Sequence, residues 1–109
     1  MMRALLLVLG GCMSATSIEE YPCPPAGTQL TYESFGRGFF AANCNSCHTN
    51  ASAGAPASFR FDTLDDIRLH REHIFMRAAA SNTTMPPGPV DPPAADRDML
   101  AEWLACGAP

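Results

Sequence analysis

The sequence contains no lysine, and it has no apolar run long enough to cross a membrane as a helix. A membrane-spanning helix needs about 20 apolar residues. The sequence has seven arginines and eleven aspartates and glutamates, which gives a formal net charge of −4. Nucleic-acid-binding domains depend on clustered basic residues, so the sequence predicts no nucleic-acid partner. With 109 residues, the chain has the size of one small domain and is too short for a multidomain enzyme.

Proline, glycine and cysteine are abundant for so short a chain. Ten prolines and eight glycines predict many turns and short regular elements. Apolar residues make up 47% of the chain, which is the composition of a folded domain rather than a disordered one. Five cysteines are more than a small domain ordinarily carries, and they indicate disulfides, a metal or a covalently held group.

The N-terminus has the features of an export signal. Arg3 precedes a short apolar run that ends in Leu-Gly-Gly-Cys at Cys12. This tetrapeptide resembles the lipoprotein box of exported bacterial proteins. The resemblance implies a signal peptide over residues 1–11, lipidation at Cys12, a tether over residues 12–22 and a folded domain over residues 23–109. The predicted location is therefore the periplasmic side of a bacterial membrane, an oxidising compartment. An ordinary secretory signal with a spare cysteine is the alternative.

A C-x-x-C-H motif occupies the middle of the chain, from Cys44 to His48. This spacing is the attachment signature of c-type haem. Two thiols three positions apart on a helical turn can each add to one porphyrin vinyl group, and the following imidazole can bind the iron. The motif predicts one covalent haem c on Cys44 and Cys47, with His48 as an axial ligand. A thioredoxin-like redox pair and a zinc site completed by His70 and His73 remain alternatives.

A second axial ligand is predicted at Met85, 37 residues after His48. The two prolines that follow it restrict the backbone and would hold the thioether on a rigid loop. Met76 is a weaker candidate because it lies inside a helical pattern. His70 and His73 would give a bis-histidine site, but their positions favour surface residues. A haem sensor or gas-binding protein, in which Met85 does not hold the iron firmly, is the alternative function.

Apolar residues recur at helical spacing in three segments, which predicts an all-α domain. The first helix covers residues 31–43 with Thr31 as its N-cap, and the second starts at residue 62 or 63 and ends near residue 80. The third is capped by Asp91 and ends at Gly107. The inward-facing residues of the three helices are predicted to be Phe35, Phe39, Phe40, Ile67, Ile74, Phe75, Ala78, Met99, Leu100, Trp103 and Leu104.

Together these features resemble a small class I c-type cytochrome over about residues 32–108. In that family a glycine and an aromatic residue of the first helix cross a leucine and an aromatic residue of the last. Here Gly36 and Phe40 would cross Leu100 and Trp103. The resemblance implies a cytochrome c-like helical domain around a covalent haem, which transfers single electrons to a redox partner that the sequence does not identify. No substrate-converting site is expected.

The resemblance also implies details around the haem. In the family, the carbonyl of a proline-containing loop accepts a hydrogen bond from the axial histidine, and Pro56 is the expected counterpart. The absence of lysine departs from family members that dock acidic partners through a lysine-ringed haem edge.

Two cysteines, Cys23 and Cys106, are left over once lipid and haem account for the other three. If the first and last helices cross, the two ends of the domain approach each other. We therefore predict a disulfide between them, since the compartment is oxidising and a bridge needs Cα atoms about 4.4–6.8 Å apart. The alternative is a pair of free buried thiols.

Overall fold

The fold is that of a computed structural model, which describes residues 16–49, 58–89 and 91–109. Within these ranges all regular structure is helical and no strand occurs, which confirms the all-α class. No helix in this part of the chain is long and apolar enough to span a bilayer. The elements are a 3-10 turn at Ile18–Glu20, a π-helical turn at Tyr32–Gly36, and four α-helices: α1 (Arg37–Asn43), α2 (Leu64–Leu69), α3 (Arg71–Ala78) and α4 (Ala94–Ala105).

Threonine side chains cap the helical segments that begin at Tyr32 and Leu64. Thr31 is the predicted cap of the first, and the second begins after Thr63, one of its two predicted starts. The Thr31 hydroxyl accepts from the amide of Ser34, whose own hydroxyl accepts from the Thr31 amide. Thr63 and Asp66 form the same reciprocal capping box at the start of α2. Each box satisfies amides that the first helical turn leaves without partners, and such caps stabilise a helix by about 1 kcal/mol.

The second predicted helix is in fact two helices, because the helical conformation is interrupted at His70. This residue has φ −101° and ψ 16°, outside the helical region, and separates α2 from α3. Neither glycine nor proline lies at the break. The His70 ring packs against Phe59 and Phe61, with ring centroids 5.1 and 5.9 Å away. A tertiary contact, rather than a local breaker, accompanies this interruption of the helix.

The last helix begins later than predicted and ends as predicted. Pro93 precedes its first residue, and Asp91 makes no cap, since its carboxylate pairs with Arg97 instead. At the other end Gly107 has φ +93°, the left-handed conformation that glycine adopts most easily after a helix. Met99 was predicted to face the core, but it lies at the surface with 37% of its area exposed.

The first and last helices cross at Gly36, as expected. A Cβ atom at Gly36 would lie 2.6 Å from the Trp103 ring, so only glycine permits this approach. Phe40, Leu100 and Trp103 are all buried around the crossing. The Trp103 indole N–H donates to the carbonyl of Pro109 at 3.1 Å, which satisfies its one polar group. Trp103 is therefore a core anchor of the domain.

The inward stripe predicted for the second helix is confirmed on α2 and α3. Ile67, Ile74, Phe75 and Ala78 are buried against α4 and the first helix. Ile18 and Tyr21 also pack on this core. The folded unit thus begins upstream of Cys23, inside the segment predicted to be a tether.

A disulfide joins Cys23, ahead of the first helix, to Cys106, at the end of α4. The two Cα atoms are 4.8 Å apart, although 83 positions separate the residues in sequence. The Thr28 hydroxyl donates to the Glu102 carboxylate at 2.8 Å, and the Tyr32 amide donates to the Pro109 carbonyl at 2.7 Å. The N-terminal segment is therefore fixed to α4 along several residues.

Candidate functional site

The C-x-x-C-H motif forms a compact turn at the end of α1. The amide of Cys44 donates to the carbonyl of Phe40 at 2.9 Å, as the last helical hydrogen bond. The amides of Cys47 and His48 both donate to the carbonyl of Cys44, at 3.1 and 3.0 Å. Because the motif is held by its own backbone, the two sulfurs and the imidazole project from one rigid turn.

The two cysteines of the motif lie in different environments. Cys47 is exposed, whereas Cys44 is half-buried. Burial raises the pKa of the Cys44 thiol to about 12, although the positive charge of Arg97 acts in the opposite direction. A thioether carries no charge, so this half-buried position suits haem attachment.

The imidazole of His48 is oriented by a backbone carbonyl. Its Nδ1 lies 2.7 Å from the carbonyl oxygen of Phe59. A carbonyl only accepts, so Nδ1 carries the proton and Nε2 keeps its lone pair for a metal. This corrects the expectation for Pro56, which lies outside the described residues: the acceptor is three positions further along the chain. The ring also stacks on Phe61, with centroids 4.6 Å apart.

Met85 lies on the loop between α3 and α4, with its backbone bonded on both sides. Its amide donates to the carbonyl of Arg77 at 2.8 Å, and its carbonyl accepts from Arg97 at 2.8 Å. The side chain itself is 38% exposed. A fixed backbone with a partly exposed thioether suits a ligand better than a core residue. Met76, on the surface of α3, is 49% exposed.

Family membership follows from a comparison with known proteins. Residues 34–104 match the sequence model of the family described as cytochrome C oxidase, cbb3-type, subunit III. The chain belongs to this family of c-type cytochromes. The match extends from the π-helical turn to the last turn of α4, and it includes both the C-x-x-C-H motif and Met85. No curated protein and no solved structure matches the chain significantly.

Membership establishes the cofactor, a covalently bound haem c, and electron transfer as the general activity. The described residues fit this group, because His48 presents a free Nε2 and the thiols of Cys44 and Cys47 are not joined in a disulfide. Domains of c-type cytochromes are typically extracytoplasmic. Cys12, the predicted lipidation site, lies outside the described residues.

His70, between α2 and α3, and His73, on α3, are half-buried beside the motif of this cytochrome, not at the open surface that the sequence predicts. His73 stacks on Phe59 with centroids 4.5 Å apart. Burial is the main cause that lowers the pKa of His73, followed by the charge of Arg77. In the described part of the chain, no three His, Cys, Asp or Glu side chains are grouped so that they could hold a metal ion. The zinc site proposed from Cys44, Cys47, His70 and His73 is thus not assembled among these residues.

Two residues of the site were missed by the sequence interpretation. Phe59 orients His48 through its carbonyl, and no sequence signal identifies a backbone acceptor. Arg97 is 2% exposed and donates toward the Met85 loop. The sequence did contain a signal for Arg97, because this arginine occupies an inward position of an otherwise apolar stripe. Charged side chains are rarely fully buried unless they are paired, so this position indicates that Arg97 has partners.

Proposed function

We propose that this cytochrome is a one-electron carrier with His–Met ligation, not a substrate-converting enzyme. Cys44 and Cys47 would hold one haem through thioethers, and His48 and Met85 would supply the ligands of its iron. The observation that carries the proposal is the hydrogen bond from His48 Nδ1 to the Phe59 carbonyl at 2.7 Å, inside a C-x-x-C-H turn. It leaves Nε2 as the nitrogen available to the iron.

The haem supplies the one-electron redox chemistry, and the chain supplies its surroundings. The Phe59 carbonyl keeps the His48 ring in one orientation, and the stacked Phe61 ring limits its rotation. The buried side chains of Phe39, Phe40 and Phe61 make the surroundings of the motif apolar at the end of α1. Apolar surroundings and a thioether ligand both disfavour the additional positive charge of ferric iron, so they raise the reduction potential. The proposed ligand set therefore favours a comparatively high-potential carrier.

Replacing Met85 with alanine is expected to remove the methionine–iron charge-transfer band of the ferric protein. The side chain is 38% exposed, so the loss of packing is small and the covalent haem remains. Absorption spectra of the oxidised protein in the red region test this. Met76→Ala is the matched control, because Met76 is also exposed and lies on the neighbouring helix.

The band is expected to persist in Met76→Ala. If instead His70→Ala or His73→Ala abolished the low-spin spectrum while Met85→Ala left it unchanged, the ligation would be bis-histidine. A high-spin spectrum in the unmodified protein, with added carbon monoxide or nitric oxide bound without competition, would favour the gas-binding alternative.

We also propose that the protein is tethered to the periplasmic face of a membrane by lipid on Cys12. Support comes from the Leu-Gly-Gly-Cys sequence that ends at Cys12. Stable anchoring needs more than one acyl chain, because a single chain binds membranes only marginally. Cys12→Ser is expected to move the protein from the membrane fraction to the soluble fraction. Unchanged fractionation of this variant, detected by its haem absorbance, would contradict the proposal.

A further inference from the structure

We propose that Arg97 is the positioning residue that keeps Met85 on the haem iron. The inference rests on the proposed His–Met ligation and assigns a task to a residue outside the ligand set. Arg97 lies in the first turns of α4 and is 2% exposed. A fully buried arginine is costly unless every part of its guanidinium is paired, so its partners define its role.

The partners of Arg97 lie almost entirely on the segment that carries Met85. Its Nη1 atom is within 2.9 Å of the Ala78 carbonyl, 3.1 Å of the Asn82 carbonyl and 2.8 Å of the Met85 carbonyl. Its Nη2 atom donates to the Asp91 carboxylate at 2.9 Å, beyond the proline-rich turn. One guanidinium therefore ties together the start, the middle and the end of the loop between α3 and α4.

The first of these contacts also caps a helix. Ala78 is the last residue of α3, and the carbonyls of the last helical turn lack helical partners. A cation at that end interacts favourably with the helix dipole. The Ala80 amide donates back to the Arg97 carbonyl at 3.0 Å, so contact between α4 and the loop runs in both directions.

The backbone bonds of the loop help to set the position of Met85, because 38% of the area of this residue is exposed rather than packed. One of those bonds goes to the Arg77 carbonyl on α3, and the other comes from Arg97 on α4. Removing the guanidinium frees the α4 side of the loop. Without this bond, the loop gains more conformational entropy when Met85 leaves the iron than it does in the unmodified protein. The equilibrium therefore shifts toward displacement of Met85 by an added ligand.

The test is the competition between Met85 and added imidazole in the oxidised, haem-loaded protein. Arg97→Gln is expected to bind imidazole at least tenfold more tightly than the unmodified protein, because Met85 is easier to displace. Arg97→Lys keeps the charge, but a single ammonium does not span the same partners, so an intermediate affinity is expected. Arg37→Gln is the control, since Arg37 is exposed on α1 and pairs only with the exposed Glu33 among the salt bridges of the described residues.

A merely structural role for Arg97 would lower the melting temperature without changing imidazole affinity under native conditions. An Arg97→Gln protein that binds imidazole within twofold of the unmodified protein would overturn the inference. If Arg97→Gln does not accumulate, an Arg97→Lys affinity equal to that of the unmodified protein overturns it equally.

Met85→Ala separates this inference from the proposed ligation. Should the unmodified protein bind imidazole as tightly as Met85→Ala, Met85 is not a ligand and both proposals fail. Should the unmodified protein bind more weakly than Met85→Ala while Arg97→Gln matches the unmodified protein, only the role of Arg97 is wrong.

Discussion

A Cys44→Ala, Cys47→Ala protein, produced in a haem-loading host, is expected to retain no covalent haem. The unmodified protein should have an intact mass larger than its peptide by one haem, and acid–acetone extraction should leave the colour with the protein. In the double variant the mass should fall to that of the peptide, and any colour should be extracted. The physical reason is that the thioether bonds need both sulfurs of the turn, and the other described cysteines are joined to each other.

The second cysteine pair provides the matched control for this experiment. A Cys23→Ala, Cys106→Ala protein loses the same number of sulfurs but is expected to retain its haem through acid–acetone extraction. A pyridine haemochrome spectrum distinguishes haem from bound zinc in every sample. Covalent haem that survived in the Cys44→Ala, Cys47→Ala protein would contradict the attachment site.

Removing the disulfide is expected to lower the free energy of unfolding by about 4–5 kcal/mol. The Cys23–Cys106 bridge closes a loop of 83 residue positions, and the chain-entropy relation assigns a loop of that length a stabilisation of this size. Domains are ordinarily stable by about 5–15 kcal/mol, so the loss is a large part of the total. Chemical denaturation of haem-loaded Cys23→Ser, Cys106→Ser protein, compared with the unmodified protein, measures the change.

Single variants and a thiol count complete this test. Cys23→Ser alone should destabilise the protein about as much as the double variant, because either change removes the bridge. Unfolded, unreduced, haem-loaded protein should show no reactive thiol from Cys23 or Cys106. Two such thiols, or a stability change below about 1 kcal/mol in the double variant, would show that the bridge does not constrain the protein in solution.

Local patterns were sufficient where a feature depends on neighbours in the sequence. The N-cap at Thr31 follows from a hydroxyl placed just before a run of apolar residues at helical spacing. The turn at Gly107 follows from the freedom of glycine at positive φ. The buried stripe of Ile67, Ile74 and Phe75 follows from helical periodicity. Each requires only the spacing of a few residues.

Local patterns failed where a side chain had two competing uses. Asp91 has the residue type and position of an N-cap, but its carboxylate pairs with the buried guanidinium of Arg97 instead. Met99 has the spacing of a core residue and lies at the surface. His70 interrupts a continuous helical pattern while its ring packs on Phe59 and Phe61. For Asp91 and His70, a contact outside the local helical pattern accompanies the departure from the prediction.

The sequence by itself determined the family, the all-α class and the motif for covalent haem, because C-x-x-C-H needs only five consecutive residues. Only the tertiary structure decided which groups orient and secure the predicted ligands. The carbonyl of Phe59 meets His48 across eleven positions, and Arg97 meets Met85 across twelve. A backbone carbonyl is present at every residue, so no side-chain pattern marks the one that will accept. Folding alone selects it, by bringing one carbonyl within reach of one donor.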